Sequence, residues 1–221
     1  MKRITFFFSY VYALLAILNI YSHFAGISFG RLITKPLLMP ILILVLWIET
    51  RLHSVFSKLI LGALIFSWAG DISLMYSEYF IYGLIFFLFA HIFYFISVIN
   101  IKGSKGLLQY QPLFALPIVI YLALLLSILN SFLDKLRIPV FLYSIVICSV
   151  CIITMNLFWK TDKKTASLFF FGYLQFVLSD SLLAFNHFVY PYYLLPALVM
   201  ATYCSAQYLI VRATILYNKS I

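Results

Sequence analysis

Acidic residues are nearly absent from this chain: six Asp and Glu in 221 residues, against fifteen Lys and Arg. Glycine and proline are also sparse, at eight and seven, and charged residues of either sign make up only 10% of the sequence. A soluble domain carries about 25% charged residues, so this shortage excludes an ordinary soluble fold. What fills the space is hydrophobic, 65% of all residues, arranged in long apolar runs between short polar breaks. That is the pattern of a multi-pass membrane protein. The net charge of +9 would suggest nucleic acid in a soluble protein. Here the basic residues fall between the apolar runs, where they set topology and meet anionic headgroups, and no nucleic-acid partner is expected. Of the three cysteines, Cys148 and Cys151 have CxxC spacing, but they lie inside an apolar run with no second pair nearby. Small packing residues are expected there, not a redox or metal motif.

A span needs about 20 mainly apolar residues, and the breaks divide the chain into eight candidates near 5–23, 33–50, 57–76, 79–99, 112–130, 138–158, 166–186 and 191–213. The expectation is one all-α polytopic membrane domain over 1–221, with little left for any soluble part. The N-terminal apolar run is too long for a signal peptide and lacks a small-x-small cleavage site, so it is read as a retained first span. Lys35-Pro36 and Pro40 interrupt the start of the second span, where a proline is tolerated in the first turn of a helix. Eleven basic residues, Lys2 and Lys102 among them, fall on one side of this topology and four (Arg31, Lys35, Lys135, Arg137) on the other. The positive-inside rule then predicts both termini in the cytoplasm, and the cell membrane is the expected location.

An ionised Asp at the centre of a span costs roughly 2.5–3.5 kcal/mol on insertion scales, and two such residues occur. Asp71 lies in the third span, in SWAGDISLMY, and Asp180 in the seventh, in GYLQFVLSDSLLAFNHF. At about 1.5 Å per residue, Asp71 is roughly 20 Å from Lys58 and Asp180 roughly 21 Å from Ala166, the same depth in the outer half of the bilayer. The contexts GDxxL and SDxxL echo each other, each in the third helix of a four-helix half, which suggests two parallel repeats. Polar residues share these faces: Tyr173, Asp180 and His187 at i, i+7 and i+14, Ser67 with Asp71, and His91 with Tyr94. Two carboxyls in one low-dielectric site do not readily ionise together, so one can hold a proton while the other is charged. Such an acid and base pair suits reactions through an oxocarbenium-like cation attacked by water, and equally peptide hydrolysis. No GxSxG elbow occurs, and Ser179 and Ser181 beside Asp180 lack a base. With His23 and His53 at span ends on opposite sides, only His91 and His187 remain for a metal, so none is expected, nor any cofactor.

The segment GDISLMYSEYFIYGLIFFLFAHIFYF, Gly70 to Phe95, resembles the first signature of the YhhN-like lysoplasmalogenase family: a GDxxL, then a Phe-rich span with an HxxY. GYLQFVLSDSLLAFNHF resembles its second, and TKPLLMP, Thr34 to Pro40, its KP-containing start of the second span. The resemblance implies an integral membrane hydrolase that cleaves the vinyl ether bond of lysoplasmalogens to a fatty aldehyde and a glycerophospho-ethanolamine or -choline. It implies Asp71 and Asp180 as the catalytic pair, and His91 and Tyr94 as the HxxY. Lys35, His91, Tyr94, Tyr173, Ser179 and His187 are the residues expected to bind the lysophospholipid, with Lys35 expected at its phosphate. A proton-coupled carrier of an amphiphile, with the two aspartates as a relay, is the alternative. An intramembrane aspartyl protease ranks below it.

Overall fold

The computed structural model describes residues 3–101, 103 and 105–220; Lys2 and Lys102, which contribute to the charge asymmetry, lie outside them. Among the described residues the regular structure is entirely helical, and eight helices are long and apolar enough to cross a membrane. They are α1 (Arg3–Phe24), α2 (Ser28–Thr50), α3 (Val55–Ser73), α4 (Phe80–Ile99), α5 (Leu116–Leu129), α6 (Arg137–Met155), α7 (Lys163–Ala184) and α8 (Leu195–Ser220). A one-turn helix, Leu107–Tyr110, precedes α5, and 3₁₀ turns extend α5 at both ends.

Local chemistry explains most boundaries. Gly26, at φ +70, supplies the left-handed residue of the tight α1–α2 turn. Ser54 caps α3 by accepting from the Ser57 N–H at 3.1 Å. Asp162 caps α7 by accepting from the Thr165 N–H at 3.0 Å, and hydrogen bonding with Thr165, through its side chain first and its backbone second, holds the Asp162 carboxyl below the usual range. The last helix begins at Leu195, not near 191 as expected, with Pro196 in its first turn, where a proline is well tolerated.

The second helix departs most from the expectation. It begins at Ser28, which leaves Pro36 and Pro40 inside the helix and not in its first turn. Proline at 40 has no N–H for the carbonyl of Pro36, four residues back. The indole Nε1 of Trp68, on α3, donates to that carbonyl at 2.8 Å. A neighbouring helix thus satisfies the acceptor that the proline abandons, as the bilayer requires.

The main core forms around α8, which packs against α7, α1, α2 and α3. Close approach is achieved by glycine, as expected where lipid supplies no hydrophobic drive between helices. A Cβ at Gly172 would stand 3.2 Å from the Ala206 carbonyl of α8, and one at Gly70 would stand 2.6 Å from the Phe87 ring of α4. Cys148 and Cys151 are buried free thiols within this core. A satellite cluster of Leu125, Leu129, Leu133 and Val140 gathers where α5 and α6 meet. On the face that carries the start of α1 and the end of α8, Lys219 pairs with Glu49 at 2.9 Å. The opposite face carries the ends of α1, α3 and α7, and the site opens there.

Candidate active site

Asp71 lies in the last turn of α3 and Asp180 one turn before the end of α7. Both line one cavity of about 430 Å³, within the range of small-molecule sites. Its walls also include Lys35, Ser179, His187, Phe87 and Tyr203. After Ala184 the α7 backbone loosens into a π-helical turn, Phe185–Val189, which brings Asn186 and His187 to the rim. Such turns often mark functional sites.

The two carboxylates are held in parallel ways. Asp71 lies 3.9 Å from the Lys35 ammonium on α2 and accepts from the Tyr203 hydroxyl on α8 at 2.7 Å. Asp180 accepts from the Tyr143 hydroxyl on α6 and lies 3.6 Å from His91 Nε2 on α4. Asp71 therefore meets the second and last helices of the bundle, and Asp180 the two in between that pack on each other, α4 and α6. The interhelical packing repeats likewise, α2 with α8 as α4 with α6. These are contacts that two parallel four-helix repeats would make.

Behind Asp71 a hydrogen-bond chain runs into the bundle. Gln207 Nε2 reaches Tyr203 at 3.4 Å and donates to Ser67 at 3.1 Å, and Tyr94 donates to Gln207 Oε1 at 2.6 Å. Behind Asp180, His91 Nε2 stands 3.1 Å from the Tyr143 hydroxyl. Buried hydrogen-bond chains of this kind fix side-chain geometry, although His91 Nδ1 finds no partner among the described residues.

The cavity gathers Lys35, Asp71, Ser179, Asp180 and His187 of the residues singled out in the sequence. Ser179 donates to the Val199 carbonyl at 3.0 Å, and His187 stacks on Phe80 with ring centroids 3.7 Å apart. His91, Tyr94 and Tyr173 are fully buried behind the wall, with the Tyr173 ring edge to face on both of the others. Of these three, His91 approaches Asp180, Tyr94 joins the Gln207 chain, and the Tyr173 hydroxyl finds no hydrogen-bond partner among the described residues. Sequence reasoning does not find Tyr143, Tyr203 or Gln207. It also leaves out His23, which lines the cavity with both ring nitrogens unpartnered among the described residues. Among the described residues no group of three or more His, Cys, Asp or Glu side chains converges as a metal site.

Two cavities extend the site on its apolar side. A narrow crevice of about 40 Å³ runs from Asp180 between α4, α5, α6 and α7, past Leu84, Leu125, Val140 and Cys148. Asp180, Phe80, Phe87, Leu74 and Leu183 line both the crevice and the polar cavity, whereas Asp71, Lys35 and His23 line only the latter. A second apolar groove of about 330 Å³ lies beyond it, between α5, α6 and α7.

No solved structure matches the chain. It is similar to lysoplasmalogenase TMEM86B of Mus musculus, 30% identical over 71% of this chain and 63% of that protein. The pig protein of the same name (Sus scrofa) is 33% identical over 78% of this chain and 70% of its own length, and the human one (Homo sapiens) 29% identical with the same coverages. The match thus spans somewhat less than two thirds of the mouse relative. The sequence profile of the YhhN family covers residues 30–214, which include both carboxylates and the four side chains that hold them, and the chain belongs to that family.

Proposed function

We propose that this protein is a lysoplasmalogenase-type hydrolase that opens the vinyl ether bond of a single-chain ether lipid, with Asp71 and Asp180 as its acid and base. One observation carries the reading: two carboxylates from separate helices line the same cavity, and that cavity continues into an apolar crevice. Vinyl ether hydrolysis starts with a proton added to the β-carbon, which leaves an oxocarbenium ion. Water adds to give a hemiacetal, which collapses to aldehyde and alcohol. The reaction needs a proton donor, a group that takes a proton from water, and negative charge near the cation; two carboxyls supply all three. The relatives named lysoplasmalogenase support the substrate class.

Purified protein incubated with a lysoplasmalogen should release fatty aldehyde. Asp71→Asn and Asp180→Asn should each cut that release by roughly 10²–10⁴-fold, the usual worth of a general acid or base, while eluting as folded protein. Aldehyde release unchanged in either variant would remove that residue from the chemistry. Transport of an intact amphiphile by vesicle-reconstituted protein, without aldehyde, would favour the carrier reading instead.

A further inference from the structure

The polar cavity accounts for a headgroup and for two carboxylates, but not for the two apolar voids beside it. Those voids line up. Val177 borders both, and Leu174, Val177, Ser181 and Ala184 of α7, at i, i+3, i+7 and i+10, form one stripe along them. The stripe extends roughly 15 Å from Ala184 to Leu174. Its far wall is α5, the most loosely held helix: 17% of its most apolar stretch is buried inside the protein, against 56% for α8. The crevice follows the boundary between the main core and the satellite cluster, with Leu125, Leu129 and Val140 on one side and Phe87, Ile147 and Cys148 on the other. Across this boundary Tyr121 of α5 donates to Ser181 of α7 at 2.7 Å, so a side-chain bond latches α5 where the two voids meet.

We propose that this seam between α5 and α7 is a trough for the lipid tail, entered sideways from the bilayer, and that it orients the substrate so that Asp180 and Asp71 take different parts in the reaction. The inference rests on the hydrolase reading. With the tail in the trough and the headgroup in the polar cavity beside His23 and His187, the vinyl ether crosses the junction beside Asp180. The tail-side alkene carbon, which must be protonated, then faces the carboxyl shared by the crevice and the polar cavity. The carboxylic O–H of Asp180 breaks as the alkene's π electrons form the new C–H bond. Water attacks the resulting cation and gives its proton to Asp71. In the collapse Asp71 returns that proton to the departing glycerol oxygen, and the hemiacetal O–H passes its proton to Asp180. Both carboxyls end as they began, and one water is consumed.

In lipid the tail gains no hydrophobic energy by entering the trough, since it leaves one apolar medium for another. What it gains is position, and misplacement of about 1 Å can cost on the order of a hundredfold in rate. Val177 stands three residues, roughly 4.5 Å, along α7 from Asp180, so a large side chain there obstructs long tails and spares short ones. Val177→Trp should lower kcat/KM for a hexadecenyl lysoplasmalogen on the order of a hundredfold and lower it far less for a butenyl analogue. Leu125→Ala, which widens the crevice without filling it, should instead admit tails branched near the ether. Equal loss at both chain lengths in folded Val177→Trp, or no loss at either, would overturn the trough.

The division of labour is read in D₂O, with the aldehyde trapped by borohydride and the configuration at the deuterated carbon determined. The Asp71→Asn protein should retain slow turnover with the wild-type configuration, and the Asp180→Asn protein should lose stereoselective deuteration altogether. The reverse pattern, or loss of selectivity in both, would overturn the assignment. If wild-type protein released no aldehyde from any vinyl ether, the hydrolase reading would fall by itself. The trough would still be tested by competition of saturated alkyl lysolipids of graded length for a fluorescent lysolipid, in wild type and Val177→Trp: length dependence in wild type alone supports it, and equal dependence in both removes it.

Discussion

The Lys35 ammonium lies 3.9 Å from Oδ1 of Asp71, deep in the cavity. This pairing competes with the simpler idea that the lysine waits for a phosphate. A lysine that orients a catalytic carboxylate acts on turnover, whereas one that holds the headgroup acts on affinity. Lys35→Met should therefore lower kcat by about ten- to a hundredfold, through loss of one charge contact at the reacting carboxyl, with a smaller change in KM. A raised KM with kcat intact would return Lys35 to the phosphate. Because removal of one partner strands a buried charge, at a cost of about 3–5 kcal/mol, the variant should also melt earlier in detergent. The double variant Lys35→Met with Asp71→Asn should recover most of that loss.

Tyr203 and Tyr143 donate to Asp71 and Asp180 respectively from separate helices, α8 and α6. Their loss should have parallel consequences. Tyr203→Phe and Tyr143→Phe should each reduce kcat by about ten- to a hundredfold, because a hydrogen bond to a charged or reacting carboxyl is worth about 1.5–3 kcal/mol. Thermal unfolding separates this from a packing effect, since Phe keeps the ring and its edge contacts. Wild-type kcat in either protein would show that the hydroxyl merely satisfies the carboxyl in the resting state.

How much of this is legible from residues alone follows from what each signal measures. The eight spans are readable because an unbroken apolar run of about 20 residues matches the thickness of the bilayer core, and the two aspartates because acidic residues are so rare here. Helix contacts are a different matter. Tyr143 and Tyr203 look like any of the seventeen tyrosines, because periodicity tells which residues share a face and not which helix that face meets. His23 reads as a span-end residue for the same reason: only the fold shows that the end of α1 borders the cavity that holds Asp71. The early start of α2 is hidden because the two prolines look like a boundary until Trp68 is seen to satisfy the carbonyl they leave. The π-helical turn that carries His187 to the rim has no distinct sequence signal.

Gly70, immediately before Asp71, allows α3 to touch the Phe87 ring of α4, where an added Cβ would stand 2.6 Å from a ring carbon. Phe87 borders both the polar cavity and the crevice, so a methyl group at position 70 displaces a wall of the site. Gly70→Ala should cost about 1–3 kcal/mol through overpacking and lower kcat together with stability. Adding Phe87→Leu, which vacates the space, should restore the melting temperature of the Gly70→Ala protein. If it does not, the glycine serves the backbone of α3 and not its packing.

Trp68 and Pro40 form a second testable pair, joined through the Pro36 carbonyl. Trp68→Phe retains an aromatic ring but deletes the N–H, leaving that carbonyl without a donor in an environment where water is scarce. A stranded acceptor costs about 1–3 kcal/mol, and at about 2–4 °C per kcal/mol for a chain of this size the melting temperature should fall by several degrees. Pro40→Ala supplies a backbone N–H four residues after the same carbonyl, so the intrahelical bond can form. In that background the indole has nothing left to satisfy, and Trp68→Phe should then cost much less. The two substitutions should therefore be non-additive, with a coupling energy of about 0.5 kcal/mol or more in the cycle, roughly the threshold for residues that share one network. Strict additivity would mean that the indole stabilises α3 against α2 by packing alone.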